Sequence, residues 1–454
     1  MFEVADKLAV IAESSIGPLF FTLCLIEEND IMIYLLLTEA LFMTILSKKI
    51  FKSMVTSYMT IMLPYVIIAA LNNIIFVHFG FIPVENNTVA LIMIASLFFY
   101  IGMMFVSRVN ITLNGKGNKL ILNIKWVYRY VSVVIIIRIL EIIYRVRAVG
   151  FGNLSNDDFS LMINHGITGH LMLSIFPLMP VIFFYWLEGR KKNTRLILLY
   201  GIYIAVCFVE TEKAQVIAPI IAAFLYCVYK NEKYLTKGLL YIFISVPIFF
   251  MGNYAIKFLL QGSYSTIPLR YYLYRLWNYI AGGIINTNTL LKMDVTTNAF
   301  DYLLDVIFAF PNMITNRLFG FTLGSKVIAH LPIKQEFLRT TILNDAWGYQ
   351  DNNVYGTLSL IYGNGNIFVF AVVVMFWGTI SQLIFNKMKN MSNDSGLLVC
   401  VCYMTFSFLT FFSSYYTIAS FMERIIWSVV MCYILRFRRC GNSINLRRIK
   451  DLQS

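Results

Sequence analysis

The chain has 454 residues, of which 59% are hydrophobic and only 13% are charged, and its mean hydropathy is +0.70. Because soluble proteins carry about 25% charged residues, this composition excludes a soluble domain and predicts a polytopic membrane protein. The net charge of +13 does not require a nucleic-acid partner, since the cytoplasmic loops of membrane proteins collect Lys and Arg.

A membrane-spanning helix needs about 20 mainly apolar residues. The sequence contains about twelve such segments, within a range of ten to thirteen, and we therefore predict an all-α integral membrane protein. The predicted spans cover residues 8–26, 31–47, 56–79, 88–107, 126–144, 170–187, 195–209, 214–229, 238–256, 362–385, 396–413 and 416–435.

The connections between these spans alternate in charge. Clusters of Lys and Arg follow every even-numbered span, whereas the first two odd-numbered connections, EEND at Glu27–Asp30 and FIPVENN at Phe81–Asn87, contain neither. The pattern predicts that both termini are cytoplasmic. The predicted organisation is 1–256 for spans one to nine, 257–353 for a large extracytoplasmic loop with amphipathic helices, 354–435 for spans ten to twelve, and 436–454 for a basic cytoplasmic tail.

Charged residues also occur inside the spans. Arg138, Glu141 and Arg145 have the spacing i, i+3 and i+7, which places them on one helical face at the outer end of span five, and Arg147 lies just beyond them. Arg424 lies in the last span. Such charges are expensive unless they are paired or face a wet cavity, so they are functional candidates. The alternative is an Arg138–Glu141 pair that only orients two helices.

The turn VETEKAQ, between spans seven and eight, places Lys213 at the start of an outer helix. Lys213 and free backbone N–H groups at that position could bind an anion. A solvated turn with local ion pairs explains the same residues equally well.

The predicted loop 257–353 interleaves Arg270 and Arg275 with tyrosines, including Tyr274. Aromatic rings can stack on sugars while guanidinium groups bind phosphate oxygens, although an interfacial aromatic belt would have the same composition. His330 is either a candidate base or an ordinary polar surface residue. His170 is assigned to the outer loop between spans five and six. Neither histidine has metal-ligand spacing, and the seven cysteines form no disulfide framework or zinc motif, so we expect no metal or cofactor.

The segment NNVYGTLSLIYGNGNIFVF, from Asn352 to Phe370, resembles a recurrent feature of Wzy-type oligosaccharide repeat-unit polymerases, in which an Asn-Val-Tyr element ends the large outer loop. The layout of spans and loops is also similar. The sequence departs from the family pattern at Gly356, where threonine is common, and at Gly363 and Asn364, where an acidic residue is common.

The resemblance implies a GT-C-like architecture in the bacterial cytoplasmic (inner) membrane and a glycosyltransferase whose site faces outward. A glycan on undecaprenyl pyrophosphate would be transferred to a lipid-linked repeat unit, without a metal. The partners would be this lipid-linked oligosaccharide, the bilayer and a chain-length regulator protein. The catalytic candidates are His330, Arg270 and Arg275, and the substrate- or pyrophosphate-binding candidates are Arg145, Arg147, Lys213, Tyr274, Asn353, Tyr355 and Arg424.

Two other functions remain open from the sequence. A glycan ligase would use the same leaving group, although the Asn-Val-Tyr element favours a polymerase. A transporter or flippase for lipid-linked oligosaccharide is the other alternative, but the long outer loop and the absence of clear internal repeats argue against it.

Overall fold

A computed structural model of the chain describes residues 28–53, 55–107, 122–149, 166–188, 194–209, 213–260, 269–292, 299–319, 340–344, 348–352, 356–363, 365–390 and 394–435. The described chain is almost entirely helical. Its helices are α1 (Glu28–Phe51), α2 (Ser57–Ile74), α3 (Asn86–Phe105), α4 (Ile124–Val149), α5 (Ile167–Ile175), α6 (Met179–Glu188), α7 (Thr194–Val209), α8 (Lys213–Lys230), α9 (Leu235–Leu260), α10 (Leu269–Lys292), α11 (Ala299–Phe319), α12 (Thr357–Tyr362), α13 (Ile367–Asn390), α14 (Asp394–Phe408) and α15 (Ala419–Ile434).

Short elements connect several of these helices. They are 3₁₀ turns at Phe76–Phe79, Phe176–Leu178, Glu232–Tyr234, Leu409–Phe411 and Tyr415–Thr417. One antiparallel hairpin interrupts the helical architecture: β1 (Thr340–Asn344) pairs with β2 (Gly348–Asn352), with Ile342 opposite Gln350. The hairpin packs against α10.

Six helical segments among the described residues are long and apolar enough to cross a membrane, which supports a multi-pass membrane protein. They are Ile31–Phe51, Ser57–Ile74, Asn86–Phe105, Ile167–Glu188, Glu232–Gly252 and Ile367–Lys387. Shorter apolar helices occupy Thr194–Val209, Val216–Lys230, Tyr302–Thr315 and Leu397–Phe411. The total of twelve spans and the GT-C-like architecture stay predictions, and the first predicted span, 8–26, lies outside the described residues.

The connection between α2 and α3 is fixed by two asparagines at the end of α2. Asn73 accepts a hydrogen bond from the Val84 N–H at 2.7 Å and donates to the Val84 carbonyl at 2.9 Å. Asn72 donates to the Ile82 carbonyl at 2.9 Å and accepts from the indole N–H of Trp277, on α10, at 3.0 Å. We call the end of the bundle that contains this connection, which the charge pattern assigns to the outside, the predicted outer end.

Helix α10 packs into the predicted outer end, although its sequence lies within the predicted loop. Trp277 stacks on Phe76 with ring centroids 3.6 Å apart. Gly283 approaches so closely that an added Cβ would lie 2.3 Å from the Phe411 carbonyl oxygen, and its own carbonyl accepts from the Gly356 N–H at 2.8 Å. The predicted loop therefore contributes an ordered, buried helix to the described structure.

The closest helix contact joins α3 and α13. A Cβ added at Gly102 would lie 2.0 Å from the Met375 carbonyl oxygen, and one at Gly378 would lie 2.1 Å from the Phe99 carbonyl oxygen. Thr379 donates across the same contact to the Gly102 carbonyl at 3.0 Å. Small residues that let backbones approach in this way are a common means of joining helices within membranes.

We expect Gly102→Ala and Gly378→Ala each to lower the free energy of unfolding by about 1–3 kcal/mol, because the added methyl group forces the two backbones apart. Thermal unfolding of the purified protein in detergent would measure the effect. The matched control is Gly201→Ala on α7, where an added Cβ meets no atom within 4 Å. Equal midpoints for all three variants would contradict the prediction.

Candidate functional site

The charged residues of α4 form a triad: Glu141 pairs with Arg138, as the sequence indicated, and also with Arg145, for which no partner was predicted. One Glu141 oxygen, Oε2, accepts from Arg138 Nη1 at 2.8 Å, and the other, Oε1, accepts from Arg145 Nε at 2.9 Å and from Arg145 Nη2 at 2.8 Å. A single carboxylate therefore pairs with two guanidinium groups. The triad as a whole carries one positive charge.

Helix α5 adds Thr168 to this triad. The Thr168 hydroxyl accepts from Arg138 Nη1 at 3.0 Å and donates to Glu141 Oε2. The helix begins immediately after Gly166, whose φ of +119° is a backbone conformation that favours glycine. This turn brings the first residues of α5 beside the C-terminal half of α4.

A second pair joins α5 to α15. His170 Nδ1 lies 2.7 Å from Glu423 Oε1, and the indole N–H of Trp427 donates to the same oxygen at 3.1 Å. Thr168 and His170 are two residues apart, so they point to different sides of α5 and contact α4 and α15 respectively. Helix α5 is thus polar on both sides at its N-terminal end.

Arg424 follows Glu423 on α15 and lies between aromatic rings. Its guanidinium carbon is 5.1 Å from the Phe176 ring centroid and 5.0 Å from that of Phe406, which are cation–π distances. Its Nη1 also lies 3.4 Å from the Ser420 hydroxyl. We define the polar cluster as Arg138, Glu141, Arg145, Thr168, His170, Glu423 and Arg424.

Burial is graded across the polar cluster. Arg138 is 1% exposed and Arg424 is 4% exposed, whereas the side chains of Arg145 and His170 are 27% and 33% exposed. The cluster contains three arginines and two glutamates among its described members. Charges held within apolar helices mark functional sites by default, and the excess of arginine favours an anionic ligand at the more exposed side.

The predicted site residues fall into four groups. Arg145 and Arg424 belong to the polar cluster, while Arg147 is exposed in the last turn of α4. Tyr274 lies on α10, where it donates to the Phe79 carbonyl and stacks on Phe81 at 4.7 Å. For the others the side chain or the whole residue lies outside the described structure: Arg270 and Arg275 on α10, Lys213 at the start of α8, and His330, Asn353 and Tyr355.

The sequence interpretation did not identify Thr168, His170 or Glu423 as site residues. The signal that could have found them is the adjacent pair Glu423-Arg424 inside an otherwise apolar span, which requires polar partners on another helix. His170 was assigned to a loop, but the structure places it in the first turn of α5. Across the described ranges, no three His, Cys, Asp or Glu side chains come together as metal ligands.

Comparisons of the chain with protein-family models, curated proteins and solved structures found no match.

Proposed function

We propose that the protein is a membrane-embedded glycosyltransferase that polymerises oligosaccharide repeat units carried on undecaprenyl pyrophosphate. In this reaction the bond from the anomeric carbon of the growing glycan to the pyrophosphate oxygen breaks. A hydroxyl oxygen of the incoming lipid-linked repeat unit forms the new bond to that carbon. The hydroxyl proton passes to a base, and the lipid pyrophosphate leaves with the electron pair.

The observation that supports this proposal is the Arg138–Glu141–Arg145 triad, which holds net positive charge at the contact between α4 and α5. A pyrophosphate leaving group develops negative charge as the glycosidic bond breaks, and fixed guanidinium groups stabilise such charge without reorganisation. Arg145 is the partly exposed member, so we assign it the contact with the pyrophosphate. Arg147, two residues further along, extends the positive charge to the end of α4.

The surface of α4 suits a substrate with a lipid tail. Ile136, Leu140 and Tyr144 are 56%, 61% and 74% exposed on a face of α4 that is separate from the triad. An isoprenoid chain lying in the bilayer against this apolar face would keep its pyrophosphate at the level of Arg145. The charged and apolar faces of one helix would then bind the two parts of the same molecule.

His170 is a second candidate for the base that accepts the proton of the acceptor hydroxyl, in addition to the predicted His330. If the Nδ1 proton of His170 is donated to Glu423, Nε2 becomes the nitrogen that accepts a proton. His170 lies in the first turn of α5, and Arg145 of α4 is linked to the same turn through Glu141 and Thr168. A base and a leaving-group contact would therefore lie on adjoining helices.

The test is complementation of a gene deletion, with the surface polysaccharide displayed on a gel. We expect the deletion to give a single-repeat band in place of a ladder, and Arg145→Ala to restore only shortened chains. Arg145→Lys should recover part of the length because it keeps the charge but loses the bidentate contact.

The matched control is Arg129→Ala, an exposed arginine near the opposite end of α4. It should restore the full ladder at an equal membrane level. Complete loss of attached glycan in the deletion strain would instead favour a ligase or flippase, and an unchanged ladder would refute the role in glycan assembly.

A further inference from the structure

A second polar site lies in the described structure, away from the polar cluster. Glu39 is in the middle of α1, within the apolar run IMIYLLLTEALFMTI. Its side chain interacts with the Ser96 hydroxyl on α3, and Ser96 lies 2.8 Å from the Tyr58 hydroxyl on α2. The rings of Tyr58 and Tyr100 meet edge to face at 6.0 Å. We define the Glu39 pocket as Glu39, Ser47, Tyr58, Ser96 and Tyr100.

The Glu39 pocket lies largely buried between α1, α2 and α3. Ser47, Tyr58 and Ser96 are completely buried, Tyr100 is nearly so, and Glu39 itself is half-buried. The Oε1 oxygen of Glu39 is buried and accepts no hydrogen bond from a described residue, whereas the hydroxyl groups of Ser47 and Tyr100 interact with each other. The Glu39 carboxyl group is inside a helix that is long and apolar enough to span a membrane.

No cation among the described residues neutralises this carboxyl group. Helices α2 and α3, which pack against α1, contain no Lys, Arg or His; the phenol of Tyr58 interacts with Glu39, and the phenol of Tyr100 lies next to that of Tyr58. Lys48 and Lys49 of α1 are exposed in its last turn. An ionised carboxylate buried without an opposite charge costs many kcal/mol, so the group is far more stable when it is neutralised by a bound cation.

The smallest cation that satisfies this site is a proton. A protonated carboxyl group becomes a hydrogen-bond donor, and it can then join the Ser96 and Tyr58 hydroxyls in one chain of hydrogen bonds. A sodium ion would need about six oxygen ligands at once, as other hard cations do. The pocket offers one carboxylate and a few hydroxyl groups, most of them on bulky buried side chains.

We propose that Glu39 is a reversible proton-binding site. Proton binding neutralises the carboxylate, and proton release leaves a buried negative charge that favours a different packing of α1 against α2 and α3. The site is independent of the proposed glycosyl transfer, since it involves none of the residues of the polar cluster.

The experiment is labelling of the purified full-length protein with dicyclohexylcarbodiimide, which reacts with protonated carboxyl groups in apolar surroundings. We expect mass mapping to find Glu39 modified, with less modification as the pH is raised and no protection by sodium chloride. Glu141 is the internal control, because two arginines hold it ionised and it should stay unmodified at the same reagent concentration.

Infrared spectroscopy provides the second measurement. The wild type at neutral pH should show the carbonyl band of a protonated carboxyl group, and Glu39→Gln should remove it, whereas Glu85→Gln, at an exposed ion pair with Lys292, should leave it unchanged. Protection of Glu39 by sodium would overturn the proposal in favour of a sodium site. A wild-type spectrum without the band would overturn it whether or not the reagent reaches the pocket.

Discussion

Replacement of Glu141 by Gln is expected to destabilise the protein by about 3 kcal/mol, near the lower end of the range for breaking a buried ion pair. The substitution keeps the shape of the side chain but removes the negative charge between Arg138 and Arg145. Arg145 can turn toward solvent at its exposed side. Arg138, which is 1% exposed, would be left buried with a weakened partner. Thermal unfolding in detergent or nanodiscs measures the change.

A second substitution separates the cost of leaving the charge of Arg138 unpaired from other losses of packing. Adding Arg138→Met to Glu141→Gln removes the buried cation, so the double variant should be more stable than Glu141→Gln alone, a coupling that a double-mutant cycle quantifies. Glu85→Gln is the matched control, because its pair with Lys292 is exposed and contributes less than about 1 kcal/mol. A double variant no more stable than Glu141→Gln would show that the charge of Arg138 is not the cause.

The sequence placed Arg138, Glu141 and Arg145 on one helical face and indicated an Arg138–Glu141 pair, but it did not predict the second pair between Arg145 and Glu141. Residues at i, i+3 and i+7 share a helical face, so the contacts among Arg138, Glu141 and Arg145 follow from their spacing once the segment is helical. The pair between His170 and Glu423 joins residues that are 253 positions apart. No periodicity encodes such a contact, because it depends on which helices become neighbours in the bundle.

The helix positions were also largely predictable, because apolar runs are limited in length by the membrane that they cross. The helix boundaries next to glycine were less predictable. Span ten was predicted to begin at residue 362, but α12 ends at Tyr362 and α13 starts only at Ile367. Gly363 separates them with a left-handed φ of +49°, which ends one helix before the next begins.

The packing of α10 shows what composition alone does not reveal. Asn288 is polar but buried, and its partners are distant in sequence: Thr88 Oγ1 at 2.7 Å, the Glu85 N–H at 3.1 Å and the Pro83 carbonyl at 2.8 Å. A polar residue whose groups are all satisfied is compatible with a buried position. The sequence showed that this segment is polar, but only the structure identified the hydrogen-bond partners of Asn288.

His170→Ala is expected to lower the rate of glycan elongation by about 10²- to 10⁴-fold, the contribution of a positioned general base. Glu423→Gln should lower it less, because the imidazole remains but loses the carboxylate that orients it at 2.7 Å. Elongation would be measured with the purified protein in nanodiscs and with lipid-linked repeat units extracted from the producing strain. Each variant's unfolding midpoint would be recorded alongside its rate.

Trp427→Phe is the matched control for this pair. It removes the 3.1 Å hydrogen bond to Glu423 Oε1 but leaves His170 and Glu423 in place, so it should retain most of the elongation rate. A purely structural role would instead make the three variants lose rate in proportion to their loss of stability. A His170→Ala protein that is stable and elongates within about threefold of the wild type would exclude His170 as the base and leave that role to the predicted His330.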